Sequence, residues 1–360
     1  MTVSRHFSAT YSEARTKFLD ACADRNLDVE SHLNDRAKGA EGEDLFMDVA
    51  RIGPQSARKI LIISSATHGG EGFCGSGIQI GLLREGYFTD LPADTAVLFI
   101  HAINPYGFSH VRRVNEDNID LNRNFRDFSK PLPDNAAYRE VHPMVLPADW
   151  DGPAREKAEA DIQDYIARHD LFTFQSAVTS GQHVHADGVF YGGTAPSWSN
   201  DTLRAVVKQH AADAEHVASL DLHTGLGPYG FGELIYVGDP NGVERAMNWY
   251  DGEVTSPDAG TSTSPVVEGS INFGISESSP KATHTCVAIE YGTIPVLEVL
   301  GALRADNWLY IHGDLDSDLG RSIKKQVRDA FYCDKDDWKE MVCKRANETV
   351  TKALKGLEAS

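Results

Sequence analysis

Cysteine is scarce in this chain, and what there is excludes a covalent scaffold. Five residues, Cys22, Cys74, Cys286, Cys333 and Cys343, are odd in number and widely scattered across 360 positions, with no C-x-x-C pair. That is not a disulfide framework, and a reducing compartment is the expected setting. Long apolar runs are also missing. None approaches the ~20 residues of a membrane span, and positions 1–10 hold no apolar signal core. The expectation is a cytoplasmic protein with no membrane partner. Positive charge is the third shortage: 34 Lys and Arg stand against 53 Asp and Glu, a net −19. Nucleic-acid binding needs clustered Lys and Arg to neutralise phosphates, so nucleic acid is excluded as a partner. The acidic excess suits a well-solvated protein.

The apolar fraction of 41% is enough for a substantial core. The length fits one large α/β domain or two smaller ones, and without an internal repeat or a linker, a single domain over 1–360 is the simpler organisation. Helical spacing is expected over 11–25, 75–86, 151–169 and 199–214. Strands are expected at 44–52, 59–65, 96–103, 218–222, 234–237 and 285–289. The segment from Phe128 to Trp150 is polar and rich in proline, which predicts a loop, and 251–269 predicts a long surface loop. From Pro295 to about Lys355 the pattern is helical. Strand, helix and strand in succession over 59–103 predict a βαβ unit and a mixed, largely parallel sheet flanked by helices. In such sheets, sites form beyond the carboxyl ends of the strands.

Directly after the apolar strand Ile60-Leu61-Ile62-Ile63 comes Thr67-His68-Gly69-Gly70-Glu71-Gly72. A His and a Glu three residues apart can bind one metal ion from a single turn, and the glycines allow a sharp bend beside them. Chance matches to H-x-x-E are common in a chain with 14 His and 53 acidic residues. Further ligands must therefore come from elsewhere. Three more segments place polar groups just beyond apolar runs: Asn104-Pro105-Tyr106-Gly107 continuing to Arg112-Arg113 and Asp120-Leu121-Asn122-Arg123-Asn124-Phe125; Asp221-Leu222-His223; and Ile289-Glu290-Tyr291.

In these pieces and in their order the chain resembles the zinc carboxypeptidases of the carboxypeptidase A type, over about residues 59–300. Other stretches, Arg112 to Glu116 and Gly181 to Gly193, look closer to an uncharacterised bacterial branch of that superfamily. More distantly, the chain is similar to succinylglutamate desuccinylases and aspartoacylases. The resemblance implies a phosphorylase/hydrolase-like α/β fold, with catalytic elements within 59–300, a helical part over 295–356, and one zinc ion per chain. It implies His68, Glu71 and His223 as metal ligands, leaving one position open for water, as catalytic zinc requires. Glu290 would be the general base and Arg113 the oxyanion stabiliser. Asn122 and Arg123 would grip a substrate carboxylate. Asp120 would hold His68 in its metal-binding tautomer.

Several neighbours stay open. Arg112 competes with Arg113 for the oxyanion role. Glu116 and Asp117 are expected to be solvated loop charges. Asp221 either orients a ligand or caps its turn. His183 and His185 form an H-x-H with a packing or pocket role, or a metal-binding one. Cys74 is expected to be packed. An active-site tyrosine is to be sought among Tyr229, Tyr236, Tyr250 and Tyr291. The expected activity is hydrolysis of an amide next to a free carboxylate, on a small peptide. The rival is deacylation of an N-acyl amino acid, by enzymes that carry a β-rich C-terminal domain. A metal-free binding protein on the same fold is the third reading.

Overall fold

The computed structural model of the chain describes residues 2–360. Eight strands form one sheet: β1 (Val29–Asn34), β2 (Leu45–Ile52), β3 (Lys59–Ser65), β4 (Thr95–His101), β5 (His216–Tyr229), β6 (Gly232–Tyr236), β7 (Val254–Thr255) and β8 (Thr283–Gly292). Their order is β1-β2-β4-β3-β5-β8-β6-β7. The central strands β4, β3, β5 and β8 run parallel. β2 and β6 join them antiparallel on either side. The sheet is thus mixed and largely parallel, as expected.

Helices cover both faces. They are α1 (Tyr11–Ala23), α2 (Gly72–Arg84), α3 (Pro105–Ser109), α4 (Ala136–Val145), α5 (Pro153–His169), α6 (Leu171–Thr179), α7 (Trp198–Ala211), α8 (Val243–Trp249), α9 (Ile271–Ser278), α10 (Val296–His312), α11 (Asp318–Phe331) and α12 (Asp336–Glu358). Strand alternation divides the core. Leu61 and Ile63 of β3 pack on the face shared with Phe18, Ile78 and Val350, which belong to α1, α2 and α12. Ile60 and Ile62 pack on the opposite face with Leu203 of α7 and Ile275 of α9. Burial on both faces is why β3 reads as an unbroken apolar run. Each such side chain contributes roughly 1.5–3 kcal/mol by leaving water.

A third apolar cluster joins α4, α5, α6, α10 and α11, among them Tyr138, Ile162, Phe174, Ala302 and Val327. It includes a helix, α4, inside the segment expected to be a loop. Asn135 caps it, its side chain accepting from the Tyr138 N–H at 3.0 Å. Tyr138, Val141 and Val145 then point inward at helical spacing. Pro143 sits inside this helix, and such a residue hides the helical signal. β5 also runs past the short strand expected, to Tyr229. Its pairing with β8 becomes irregular between Thr224 and Tyr229, where Gly225 and Gly227 take φ of 131° and 101°.

Candidate active site

Glycine in the H-x-x-E turn is required by what lies against it. A Cβ on Gly69 would sit 1.9 Å from the carbonyl carbon of Gly107. The H-x-x-E turn and the Asn104-Pro105-Tyr106-Gly107 turn therefore pack backbone to backbone. Asn104 accepts from the Gly107 N–H at 2.8 Å and donates to the Arg113 carbonyl at 3.2 Å. The Gly70 N–H donates to the Arg112 carbonyl at 2.8 Å. These bonds bring Arg113 to the edge of the sheet beside Glu71.

His68 follows the end of β3, and Glu71 closes the single 3-10 turn Gly69–Glu71. His223 lies on β5 and Glu290 on β8, as direct cross-strand partners. Nδ1 of His68 is 2.9 Å from Glu71 Oε1, and Nδ1 of His223 is 2.8 Å from Glu71 Oε2. One donor atom from each of the three residues lies within 4.8 Å of the other two, and all three side chains are buried. The far ring nitrogens are held from behind. His68 Nε2 meets Asp120 Oδ1 at 3.2 Å, and His223 Nε2 meets Asp221 Oδ2 at 2.5 Å.

Charge around the centre is unbalanced toward the anionic side. Burial raises the carboxyls of Glu71, Asp120 and Asp221, but their cationic neighbours outweigh it and all three fall below the usual range. For Glu71 the cause is His68 and His223; for Asp120 it is Arg113, Arg123 and His68. Burial pulls His223 down, yet Asp221 and Glu71 hold it well above its ordinary value. Both nitrogens of this imidazole face carboxylates, so the arrangement calls for positive charge at its centre. A divalent cation meets that demand, and the N, N, O donor set suits zinc. Glu290 differs. Burial first, and Glu71 second, push its carboxyl up to about 8. The Leu226 N–H donates to its Oε1 at 2.9 Å.

The centre opens into a cavity of about 390 Å³ lined also by Arg113, Asn122, Arg123 and Glu290. Arg113 donates through Nε to Asp120 at 2.8 Å, and its Nη1 is 3.6 Å from Glu71. Arg123 donates to the carbonyls of Asn122 and Thr179. Asn122 accepts from the Ile271 N–H at 3.0 Å, and its amide nitrogen is 3.4 Å from His223. All eight residues named from the sequence thus surround or adjoin one centre.

The open alternatives separate. Arg112 turns away to Asp306, at 3.0 Å, and to Asn118. Asp117 is exposed, and Glu116 accepts from Asn34. Cys74 is fully buried. His183 bonds the Gly193 carbonyl and Arg126, away from the centre. Of the four tyrosines only Tyr236 lines the cavity, and its hydroxyl donates to the Asp239 carbonyl. Tyr229 bonds Asp337, and Tyr250 and Tyr291 are fully buried. One group escaped the sequence reading altogether. The Phe190 ring faces the guanidiniums of Arg113 and Arg123 at 4.9 and 5.5 Å, a contact carried by a loop with no periodic signal.

Residues 7–345 match the family described as "Protein of unknown function (DUF2817)". The chain belongs to that family. No curated protein matches it. Among solved structures, carboxypeptidase A from Helicoverpa armigera aligns at a TM-score of 0.51 and 14% identity, over 98% of this chain and 74% of that one. Thrombin activatable fibrinolysis inhibitor aligns at 0.50 and 14%, over 98% and 74%. At this identity the likeness establishes the fold alone, an α/β fold shared with these two proteins. Among the described residues, no helix is long and apolar enough to cross a membrane.

Proposed function

We propose that this DUF2817 protein is a zinc-dependent hydrolase that cleaves an amide bond next to a free carboxylate. One observation carries the reading. Three metal-type donors converge, with Glu290 the cross-strand neighbour of one of them, in a cavity that also holds Arg113 and Arg123. Zinc held by His68, Glu71 and His223 supplies a Lewis acid and an acidified water. Glu290 takes the proton from the attacking water and returns it to the leaving amine. Its burial lifts its carboxyl toward the neutral range where such exchange is efficient. Arg113, beside Glu71, receives the negative charge that develops on the carbonyl oxygen. Arg123 and Asn122 anchor the substrate carboxylate.

The cavity walls argue for an apolar group next to the cleaved bond. Leu171, Val266, Phe273, Val296 and Leu297 all line it, and each is at least 36% exposed. Solvent-facing apolar side chains gathered at one cavity mark a binding surface. Deacylation of an N-acyl amino acid is the second reading, because an acyl chain fits the same walls. A hydrolysis screen tests both, using dipeptides, tripeptides and N-acyl amino acids with and without added zinc. Zinc-dependent release of apolar C-terminal residues supports the first reading, and release of acyl groups alone supports the second. No zinc-dependent hydrolysis of any substrate rejects both.

A further inference from the structure

A second group of metal-type side chains lies outside the active-site centre. His142 belongs to α4, while His185 and Asp187 belong to the loop after α6. One donor atom from each lies within 4.8 Å of the other two. His142 Nε2 is 3.8 Å from Asp187 Oδ1. The two imidazoles stack, with centroids 3.9 Å apart and planes at 21°.

The loop backbone is held with unusual completeness. Gln182 accepts from the Val184 and His185 N–H groups at 2.9 and 2.7 Å, and donates to the His185 carbonyl at 2.7 Å. Asn118 donates to the carbonyls of Ala186 and Gly188 at 3.0 and 3.1 Å. Asn307 donates to the Asp187 carbonyl at 2.7 Å. Against this background, Nε2 of His185 is buried with no hydrogen-bond partner, and the His142 nitrogen that faces Asp187 is Nε2. Buried polar atoms in native proteins are rarely left so.

We propose that His142, His185 and Asp187 form a second divalent-metal site, distinct from the His68–Glu71–His223 centre. Two imidazoles and one carboxylate are a zinc-type donor set. Tetrahedral bonds of about 2.1 Å put ligand atoms ~3.4 Å apart, and the donor atoms here lie within 4.8 Å of one another. The Asp187 side chain is 49% exposed, which leaves the fourth position to water. The ion clips the loop to α4. Phe190, two residues past Gly188, is the ring that faces Arg113 and Arg123. The clip therefore fixes one wall of the active-site cavity.

Zinc stoichiometry tests this without reference to activity. The full chain is saturated with zinc, dialysed and measured by mass spectrometry of the metal, for wild type, His185→Ala and His223→Ala. Expected values are two zinc ions per chain, then one, then one. The ion retained by His185→Ala at the other centre reports that this variant is folded. Hydrogen exchange of residues 182–191 should slow on zinc addition in wild type and His223→Ala, and not in His185→Ala. One ion in wild type, unchanged in His185→Ala, overturns the proposal, as do two ions in His185→Ala. One ion in wild type, lost in His185→Ala and kept in His223→Ala, supports this site and rejects the catalytic one.

Discussion

Asp221 Oδ2 lies 2.5 Å from Nε2 of His223, two residues further along the same strand. Side chains two apart on a strand point to one face, so the strand itself aims this carboxylate at this imidazole. Ser64 and Thr67 donate to the other oxygen of Asp221 at 2.7 and 2.8 Å, which stops the carboxylate from turning. Asp120 plays the matching part for His68 from a loop, and Arg113 braces its second oxygen. Each imidazole is thereby left with Nδ1 toward Glu71.

Asp221→Asn should keep the fold and weaken zinc binding by about 10–100-fold, the usual cost of losing the group behind a metal-bound histidine. Competition with a chelator of known affinity measures it. Unchanged affinity would return Asp221 to the role of a turn cap.

Glu290→Gln preserves shape and removes proton acceptance. Turnover should fall by about 10²–10⁴-fold, with zinc stoichiometry at the wild-type value. Wild-type turnover in this variant places the base elsewhere.

The two arginines should separate kinetically. Arg113→Ala removes an interaction made with charge that appears only in the transition state, so kcat falls. Arg123→Ala removes ground-state anchoring, so KM rises and C-terminally amidated substrates become competitive with free acids. Arg113 also braces Asp120, so zinc content must be measured beside the rates. Equal cleavage of amidated and free-acid substrates by the unmodified enzyme would remove the carboxylate clamp and leave an endo-acting amidase.

Much of the centre was legible because each piece stands directly after an apolar run. His68 and Glu71 follow β3, His223 lies on β5 just before its pairing with β8 becomes irregular, and Glu290 lies toward the end of β8. The pairing that makes His223 and Glu290 neighbours was not legible, since it depends on contacts between distant parts of the chain. α4 was hidden by Pro143. Asp221 was left between two roles because spacing shows a shared face but not a bond. The H-x-H at His183 and His185 is plain in the sequence, yet the chain bends at His183 and Val184 and the two rings part. His183 goes to Arg126 and His185 to His142, and His142 was concealed in the expected loop.

Acid stability should depend on a histidine far from the chemistry. His101, at the end of β4, is fully buried, stacks on Phe18 at 4.4 Å and meets Ser76 Oγ at 2.9 Å. Burial is the main cause that lowers its pKa to about 4; Asp48 opposes and Arg15 assists. The folded state thus prefers the neutral ring, while the unfolded chain titrates near 6.5. Above pH 6.5 the contribution is fully present. As the pH falls below 6.5 the unfolded chain takes up a proton that the fold refuses, and stability is lost until about pH 4. A gap of roughly 2.5 units corresponds to about 3 kcal/mol. His101→Phe keeps an aromatic ring on Phe18 and cannot titrate. Urea unfolding of both proteins from pH 7.5 to 4.5, with a chelator present so that zinc release adds nothing, should give wild-type stability that falls more steeply. Parallel pH profiles would show that His101 is not the group that titrates.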